Sequence, residues 1–301
     1  MISELILLSL NESTFSFLPC AKSKIAAAPR NSIQKDFLSS PNASSLIKRS
    51  SRWFKISLKI KKHLTTKGKL YLIPTPLGEN AVHSIPPYVV KIIHELDFFI
   101  AERAKTARRF IKTTQPVKAF DSLSFFELNK RTTPAEWKSF LAPAENGNNI
   151  GLLSEAGCPG VADPGALIVE MAHQKSIEVV PLVGPSSILL ALMASGMNGQ
   201  QFCFHGYLSP KKPELAKALR QIEQQSVKLD QTQIFIETPY RNTQFMETAL
   251  NSLSDHTRFC IAADLTLETE YIRTQTIAQW KKSGLPELHK RPALFLIYRK
   301  R

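Results

Sequence analysis

The sequence predicts an α/β protein built on a mostly parallel sheet with helices on its faces, and three observations carry that expectation. Short apolar runs of strand length alternate with longer stretches of helical period. The turns that follow several of those runs are rich in glycine and proline. The chain has 301 residues, 43% of them hydrophobic, enough to bury one large core or two modest ones.

In chain order, Leu70-Tyr71-Leu72-Ile73 reads as a buried strand that runs into the tight loop Pro74-Thr75-Pro76-Leu77-Gly78. Residues 87–96 set Val89, Ile92, Ile93 and Leu96 at helical spacing. Residues 98–101 form a second strand ending at Glu102, and residues 106–111 begin another helix. Residues 151–154 are a strand, followed by a loop to Gly165 and a helix over 166–173. A strand at 178–182 leads to an apolar helix at 186–195. A second block repeats the alternation: strand 201–207, polar helix 211–225, strand 233–236, helix 242–253, strand 259–263, short helix 277–282 and strand 293–298. The break near residues 182–187 gives an expected N-terminal α/β domain over 67–183 and a C-terminal one over 184–301.

Charge is unevenly spread. The net charge is +14, yet residues 1–69 alone hold 13 Lys and Arg against 3 Asp and Glu. The body is only mildly basic, so composition by itself gives weak support to nucleic-acid binding. Residues 1–66 are basic, Ser-rich and acid-poor and are expected to form a disordered extension. An organelle-targeting segment or upstream sequence from a misplaced start are the other readings. No run of eighteen apolar residues occurs, which argues against a membrane span. Cys20, Cys158, Cys203 and Cys260 lack metal-knuckle or redox-pair spacing, and the seven histidines form no ligand pair. The expectation is a reducing, cytoplasmic setting and no metal.

Two loops carry the strongest local signal. Residues 154–165 read Ser154-Glu155-Ala156-Gly157-Cys158-Pro159-Gly160-Val161-Ala162-Asp163-Pro164-Gly165. Glycine lets a backbone approach a ligand closely, and proline stiffens it, so this loop can offer amides and carbonyls to an adenine or an amino-acid group. It reads equally as a plain strand-to-helix connector. Gly184-Pro185-Ser186-Ser187 opens the apolar helix, where unpaired amides suit a carboxylate, although two serines also cap helices routinely. Neither loop is a phosphate-binding signature. A sulfonium or thioether nucleoside with an amino-acid tail suits them better. In α/β sheets such loops at the carboxyl ends of strands form the ligand crevice.

Taken together, residues 70–78, Ala101-Glu102, residues 154–165, Gly184-Pro185-Ser186-Ser187 and Glu237-Thr238-Pro239-Tyr240-Arg241 resemble the ribosomal RNA small-subunit methyltransferase I family of the tetrapyrrole methylase superfamily. The likeness runs in order over residues 69–301. It implies a two-domain tetrapyrrole methylase-like fold with S-adenosylmethionine in the cleft between domains. It also implies a homodimer, and methylation of a cytidine ribose 2′-hydroxyl in the 16S rRNA of the small ribosomal subunit. Carried over residue by residue, it puts cofactor contacts on Pro74, Thr75, Pro76 and Gly78, on Ser154, Glu155, Ala156, Gly157, Pro159 and Gly160, and on Ser186 and Ser187. From the second half it adds Ile236, Ala262, Ala263, Asp264, Pro292 and Ala293. Glu102 and the 237–241 stretch face the acceptor.

This chain departs from the family pattern on the acceptor side. Glu102-Arg103-Ala104-Lys105 stands where the family usually has Glu-Asp-Thr-Arg, and residues 263–270 lack several basic residues. A divergent paralogue acting on a small tetrapyrrole-like molecule, or a non-catalytic RNA-binding relative, therefore remains open. For direct methyl transfer to oxygen, Glu102 and Glu237 are the candidate bases because each ends a strand at the crevice. Each is also readable as an ion-pair or capping residue. Lys105 and Arg108, with neighbouring Arg109, can track an RNA backbone, and Arg241 can hold a phosphate or simply pair with Glu237.

Overall fold

The most apolar runs of the chain become the middle strands of two five-stranded sheets. In a computed structural model that describes residues 66–300, the first sheet draws on β1 (Lys69–Ile73), α1 (Pro87–Glu95), β2 (Phe98–Ala101), α2 (Ala104–Thr113), β3 (Ser124–Glu127), α3 (Pro134–Ser139), α4 (Ala142–Glu145), β4 (Ile150–Leu153), α5 (Gly165–Gln174) and β5 (Glu178–Pro181). Its order is β3-β2-β4-β1-β5, and every neighbouring pair is parallel. β4, with sequence IGLL, is buried at every position in the centre, whereas the edge strands β3 and β5 are buried at none. A continuous apolar run therefore marks a strand covered on both faces. The basic extension expected over residues 1–66 lies, apart from Thr66, outside the described residues.

The second sheet uses strands that all lie after Gln201. It comprises β6 (Phe202–Tyr207), β7 (Thr232–Glu237), β8 (Arg258–Ala263), β9 (Tyr271–Thr276) and β10 (Ala293–Tyr298), in the order β6-β7-β10-β8-β9. Here the expectation of a mostly parallel arrangement needs correction. Only β6 and β7 run parallel, and the other neighbours are antiparallel. The cause is the return of the chain through β9, whose sequence YIRTQT pairs with β8 as an edge strand. A half-polar edge strand has too little apolar alternation to be read from sequence. β3 escaped for a related reason: it is four residues long and owes its place to pairing with β2 and to Phe125 stacking on Phe99 at 5.4 Å between ring centroids.

Four further helices complete the unit, α6 (Ser187–Ser195), α7 (Lys212–Leu229), α8 (Asn242–Ser252) and α9 (Ile277–Ser283). Local chemistry sets their ends. Ser186 caps α6, accepting from the Leu189 amide, and Gly196 in the left-handed region stops it. Thr276 and Gln279 form a capping box on α9. α6 packs on the second sheet through Ala191 and Leu192, in a cluster that also takes in Ile234, Ala262 and Leu294. Among the described residues no helix is long and apolar enough to cross a membrane.

On the other face of the second sheet, Phe295 of β10 stacks on Phe245 at 4.5 Å and lies 5.9 Å from Phe259. Trp280 of α9 closes the same core and donates its ring N–H to the Phe259 carbonyl at 2.8 Å. Removing a fully buried aromatic loses its transfer energy and leaves a cavity. Phe295→Ala should therefore lower stability by about 3–5 kcal/mol, read as a shift in the urea unfolding midpoint at unchanged slope.

Candidate functional site

Three loops converge where the parallel strands end. The loop after β1 and the loop after β4 are tied by a two-way backbone bridge: the Thr75 amide donates to the Gly157 carbonyl, and the Gly157 amide to the Thr75 carbonyl, both at 3.0 Å. Gly157 has φ +77°, the left-handed region that costs glycine nothing. The buried hydroxyl of Ser154 donates to the Gly157 carbonyl at 2.6 Å, and the Thr75 hydroxyl reaches the Ser154 carbonyl at 3.3 Å. The third loop leans on the first: a Cβ at Gly184 would stand 2.2 Å from Pro74 Cγ. Pro74, Thr75, Ser154, Gly157, Gly184 and Pro185 thus form one interlocked group, with Pro159 buried and Ala156 exposed in the same loop and Ser186 and Ser187 at the start of α6. Gly160 belongs to a second fastening, in which Asp163 Oδ1 accepts from the amides of Gly160 and Gly165 at 2.8 and 2.7 Å and so launches α5.

The second-half residues also gather. In the sheet register Ala293 lies between Glu237 and Ala263, and Leu294 between Ile236 and Ala262. Ile236, Ala262, Ala263, Asp264, Pro292 and Ala293 therefore share one end of three adjacent strands. Asp264 has φ +52° and donates its amide to the Pro292 carbonyl at 3.0 Å. Its carboxylate accepts from Arg291 Nε at 2.7 Å and from the Thr269 hydroxyl at 2.8 Å. The first loop reaches this end: Leu77 packs against the cluster holding Ile236, Ala262 and Leu265, and a Cβ at Gly78 would stand 2.8 Å from Leu267. Nearby, the Thr266 hydroxyl is buried without a hydrogen-bond partner among the described residues, on a residue with φ +71°.

The two candidate carboxylates differ sharply. Glu237 has 2% of its side chain exposed and is paired with Arg241, while the Thr238 amide donates to it at 2.6 Å. Arg241 Nε donates in turn to the Thr238 hydroxyl at 3.1 Å. Both residues are therefore engaged with each other. Glu102 has no side-chain hydrogen-bond partner among the described residues, and partial burial, reinforced by the charges of Glu155 and Asp163, raises its carboxyl above the usual range. Arg103 and Lys130 oppose that rise. Asp163 is likewise raised by burial, with its two amide donors pulling the other way. Burial also pushes the Cys158 thiol up, which keeps it protonated at neutral pH and a poor nucleophile.

Of the basic candidates, Lys105 is exposed, Arg108 lies over the Phe125 ring at 4.8 Å, and Arg109 pairs with Glu79 at 3.1 Å. Beside them opens a cavity of about 330 Å³ between the first loop and α2. Thr75, Pro76, Gly78, Ser154 and Glu155 line one side, and Thr106, Arg109, Phe110 and Thr113 the other. No residue of the second sheet lines it. The α2 residues were not singled out from the sequence except for the basic Arg109. Their spacing of three, four and seven puts them on one helix face, and that was the available signal.

Comparison with known proteins agrees with this architecture. The family description Tetrapyrrole (Corrin/Porphyrin) Methylases matches residues 69–281. Among curated relatives, the Ribosomal RNA small subunit methyltransferase I of Bacillus subtilis (strain 168) is 30% identical over 70% of this chain and 68% of its own length. The protein of the same name from Escherichia coli O157:H7 is 29% identical over 71% of each chain. Among solved structures the methyltransferase CobJ aligns over 77% of this chain and 94% of its own, with a TM-score of 0.53 at 18% identity.

The fit between the Gly184 backbone and Pro74 can be tested directly. Gly184→Ala forces a methyl group into Pro74, so one loop must move. The expected cost is about 1–3 kcal/mol of stability, seen as a lower unfolding temperature, since overpacking strains the surroundings.

Proposed function

Because the chain belongs to the tetrapyrrole methylase family, and within it to the ribosomal RNA small-subunit methyltransferase I family, we propose that this methyltransferase uses S-adenosylmethionine to methylate a ribose 2′-hydroxyl of 16S rRNA in the small ribosomal subunit. The observation that carries the reading is the Thr75–Gly157 bridge, which ties the loops after β1 and β4 into one wall, joined by the third loop through Gly184 on Pro74 and touching the second-sheet region through Leu77 and Gly78. A ribosomal acceptor implies action in the cytoplasm, and the family resemblance supports a homodimer with its cleft between the 67–183 and 184–301 halves.

The residues at hand fit that cofactor. The partnerless buried hydroxyl of Thr266 is a polar group that a ligand can satisfy. Glycine-borne backbone at Gly157, Gly160 and Gly78 permits close approach, and the cap of α6 at Ser186-Ser187 suits a carboxylate. In this reading Pro74, Thr75, Pro76, Gly78, Ser154 to Gly160, Ser186 and Ser187 hold it from one side. Ile236, Ala262, Ala263, Asp264, Pro292 and Ala293 hold it from the other. When bound, it supplies a methyl carbon already activated by sulfonium, so the protein's share is largely alignment.

The chain must still take a proton from a weakly acidic hydroxyl. Glu102 is the proposed base, because its carboxylate is unpartnered and its raised proton affinity suits the task. Glu237, committed to Arg241 and the Thr238 amide, is proposed to shape the acceptor wall rather than to accept the proton. Lys105, Arg108 and Arg241 are the proposed contacts to RNA phosphates.

Purified protein incubated with methyl-labelled S-adenosylmethionine and unmodified small subunits tests the assignment. Label in ribose of 16S rRNA is expected. Label only in an added tetrapyrrole, or none with cofactor bound, would refute it.

Glu102→Gln should lower kcat by about 10²–10⁴-fold while leaving affinity for S-adenosylhomocysteine unchanged. A base works only when deprotonated, and a raised pKa delays deprotonation. The kcat of the wild type should therefore climb with pH to a plateau, its midpoint above the ordinary glutamate value of about 4.3, and Glu102→Gln should lose that limb.

A further inference from the structure

The cavity beside α2 has a composition unlike that of the loops that share its rim. One wall is the cofactor-loop group, represented by Thr75, Ser154 and Glu155. Apolar side chains enter from both sides, Leu77 and Val82 from the segment after β1 and Ala107 and Phe110 from α2, and the exposed pair Arg109–Glu79 stands at the surface. Ala107 and Phe110 are buried, so the wall is fixed by the core behind it. At about 330 Å³ the space sits at the small end of the roughly 300–1,000 Å³ typical of ligand pockets, the size of a single nucleoside. It lies wholly within the first half, whereas the cofactor reading needs residues from both halves. Glu155, whose charge raises the proton affinity of Glu102, lines it.

We propose that this cavity receives the acceptor nucleotide of a single-stranded RNA segment, its base against Leu77, Val82, Ala107 and Phe110 and its phosphate on Arg109. The inference rests on the RNA reading above and deepens it by naming the acceptor pocket. Recognition of single-stranded RNA targets unstacked bases, and an apolar, aromatic-bearing recess compensates for lost stacking. Among the described residues the ion pair of Arg109 is with Glu79, and the two side chains are 68% and 80% exposed. Such a pair contributes little, so Arg109 can exchange Glu79 for a phosphate at small cost.

Three variants test this. Thr106→Leu lengthens a wall residue into the cavity at a helical position that favours leucine. Arg109→Gln removes the phosphate partner, and Glu79→Gln releases Arg109. Each is assayed for label transfer to unmodified small subunits and, by calorimetry, for S-adenosylhomocysteine binding. Thr106→Leu and Arg109→Gln should cut kcat/KM for the subunit by about tenfold or more, with S-adenosylhomocysteine affinity held within about twofold. Glu79→Gln should bind the subunit as tightly as the wild type or more tightly. Parallel loss of S-adenosylhomocysteine binding in Thr106→Leu would overturn the assignment by placing the cofactor in the cavity. Unchanged transfer by both variants would overturn it while leaving the RNA reading intact. A wild type that labels no RNA would defeat the RNA reading, and the acceptor pocket with it.

Discussion

Two backbone hydrogen bonds between Thr75 and Gly157 fix the geometry on which the rest of the site depends. Parallel strands deliver their loops to one edge of a sheet but do not by themselves hold those loops together. Here β1 and β4 are neighbours, so the loops that follow them start side by side. The bridge extends that pairing past the strands, the Ser154 hydroxyl adds a second donor to the Gly157 carbonyl, and the Thr75 hydroxyl reaches the Ser154 carbonyl. Burying such groups is favourable only when they are paired, which makes the arrangement all-or-none rather than gradually deformable. Gly184 against Pro74 then locks the third loop to the first.

The second sheet answers this wall with a different device. β10 stands between β7 and β8, so Ala293 has Glu237 on one side and Ala263 on the other. The side chains at that end, Ala262, Ala263 and Ala293, are small and buried, and Asp264 and Thr266 beyond β8 take left-handed backbone angles. Asp264 is held in that conformation by Arg291, Thr269 and the Pro292 carbonyl. Leu77 and Gly78 carry the first loop into contact with this region, joining the two halves of the chemistry. Charge is distributed to match: the unpartnered Glu102 lies among other carboxylates that raise its proton affinity, while Glu237 is neutralised by Arg241.

The parts of the fold that sequence could disclose are those governed by burial. Central strands such as β4 and β10 are apolar at nearly every position, and helices such as α1 show their inward face at Val89 and Ile93. The elements it concealed depend on neighbours. β9 is polar and exists because β8 offers it a free edge, and β3, with two polar residues in four and none buried, depends on its pairing with β2. The antiparallel insertion of β10 could not be foreseen from alternation alone, since period gives strands but not their direction. At the site, the glycine and proline loops were legible because their composition reflects conformational demand. The Arg241–Glu237 pairing was among the readings that local spacing allowed, and the structure forms it. The cavity wall on α2 was hidden because Thr106, Phe110 and Thr113 are individually ordinary residues, given meaning only by the loop opposite.

The central claim is that the Thr75–Gly157 clamp shapes a donor-binding wall. Gly157→Ala probes it most directly, for a Cβ there would lie 3.1 Å from Leu77 Cδ2 and 3.3 Å from the Pro185 carbonyl, at a backbone angle of +77° that alanine resists. Calorimetric titration of the folded variant with S-adenosylhomocysteine should show affinity reduced by about tenfold or more, in keeping with a misaligned binding wall. A folded variant that binds the compound as tightly as the wild type would contradict the account.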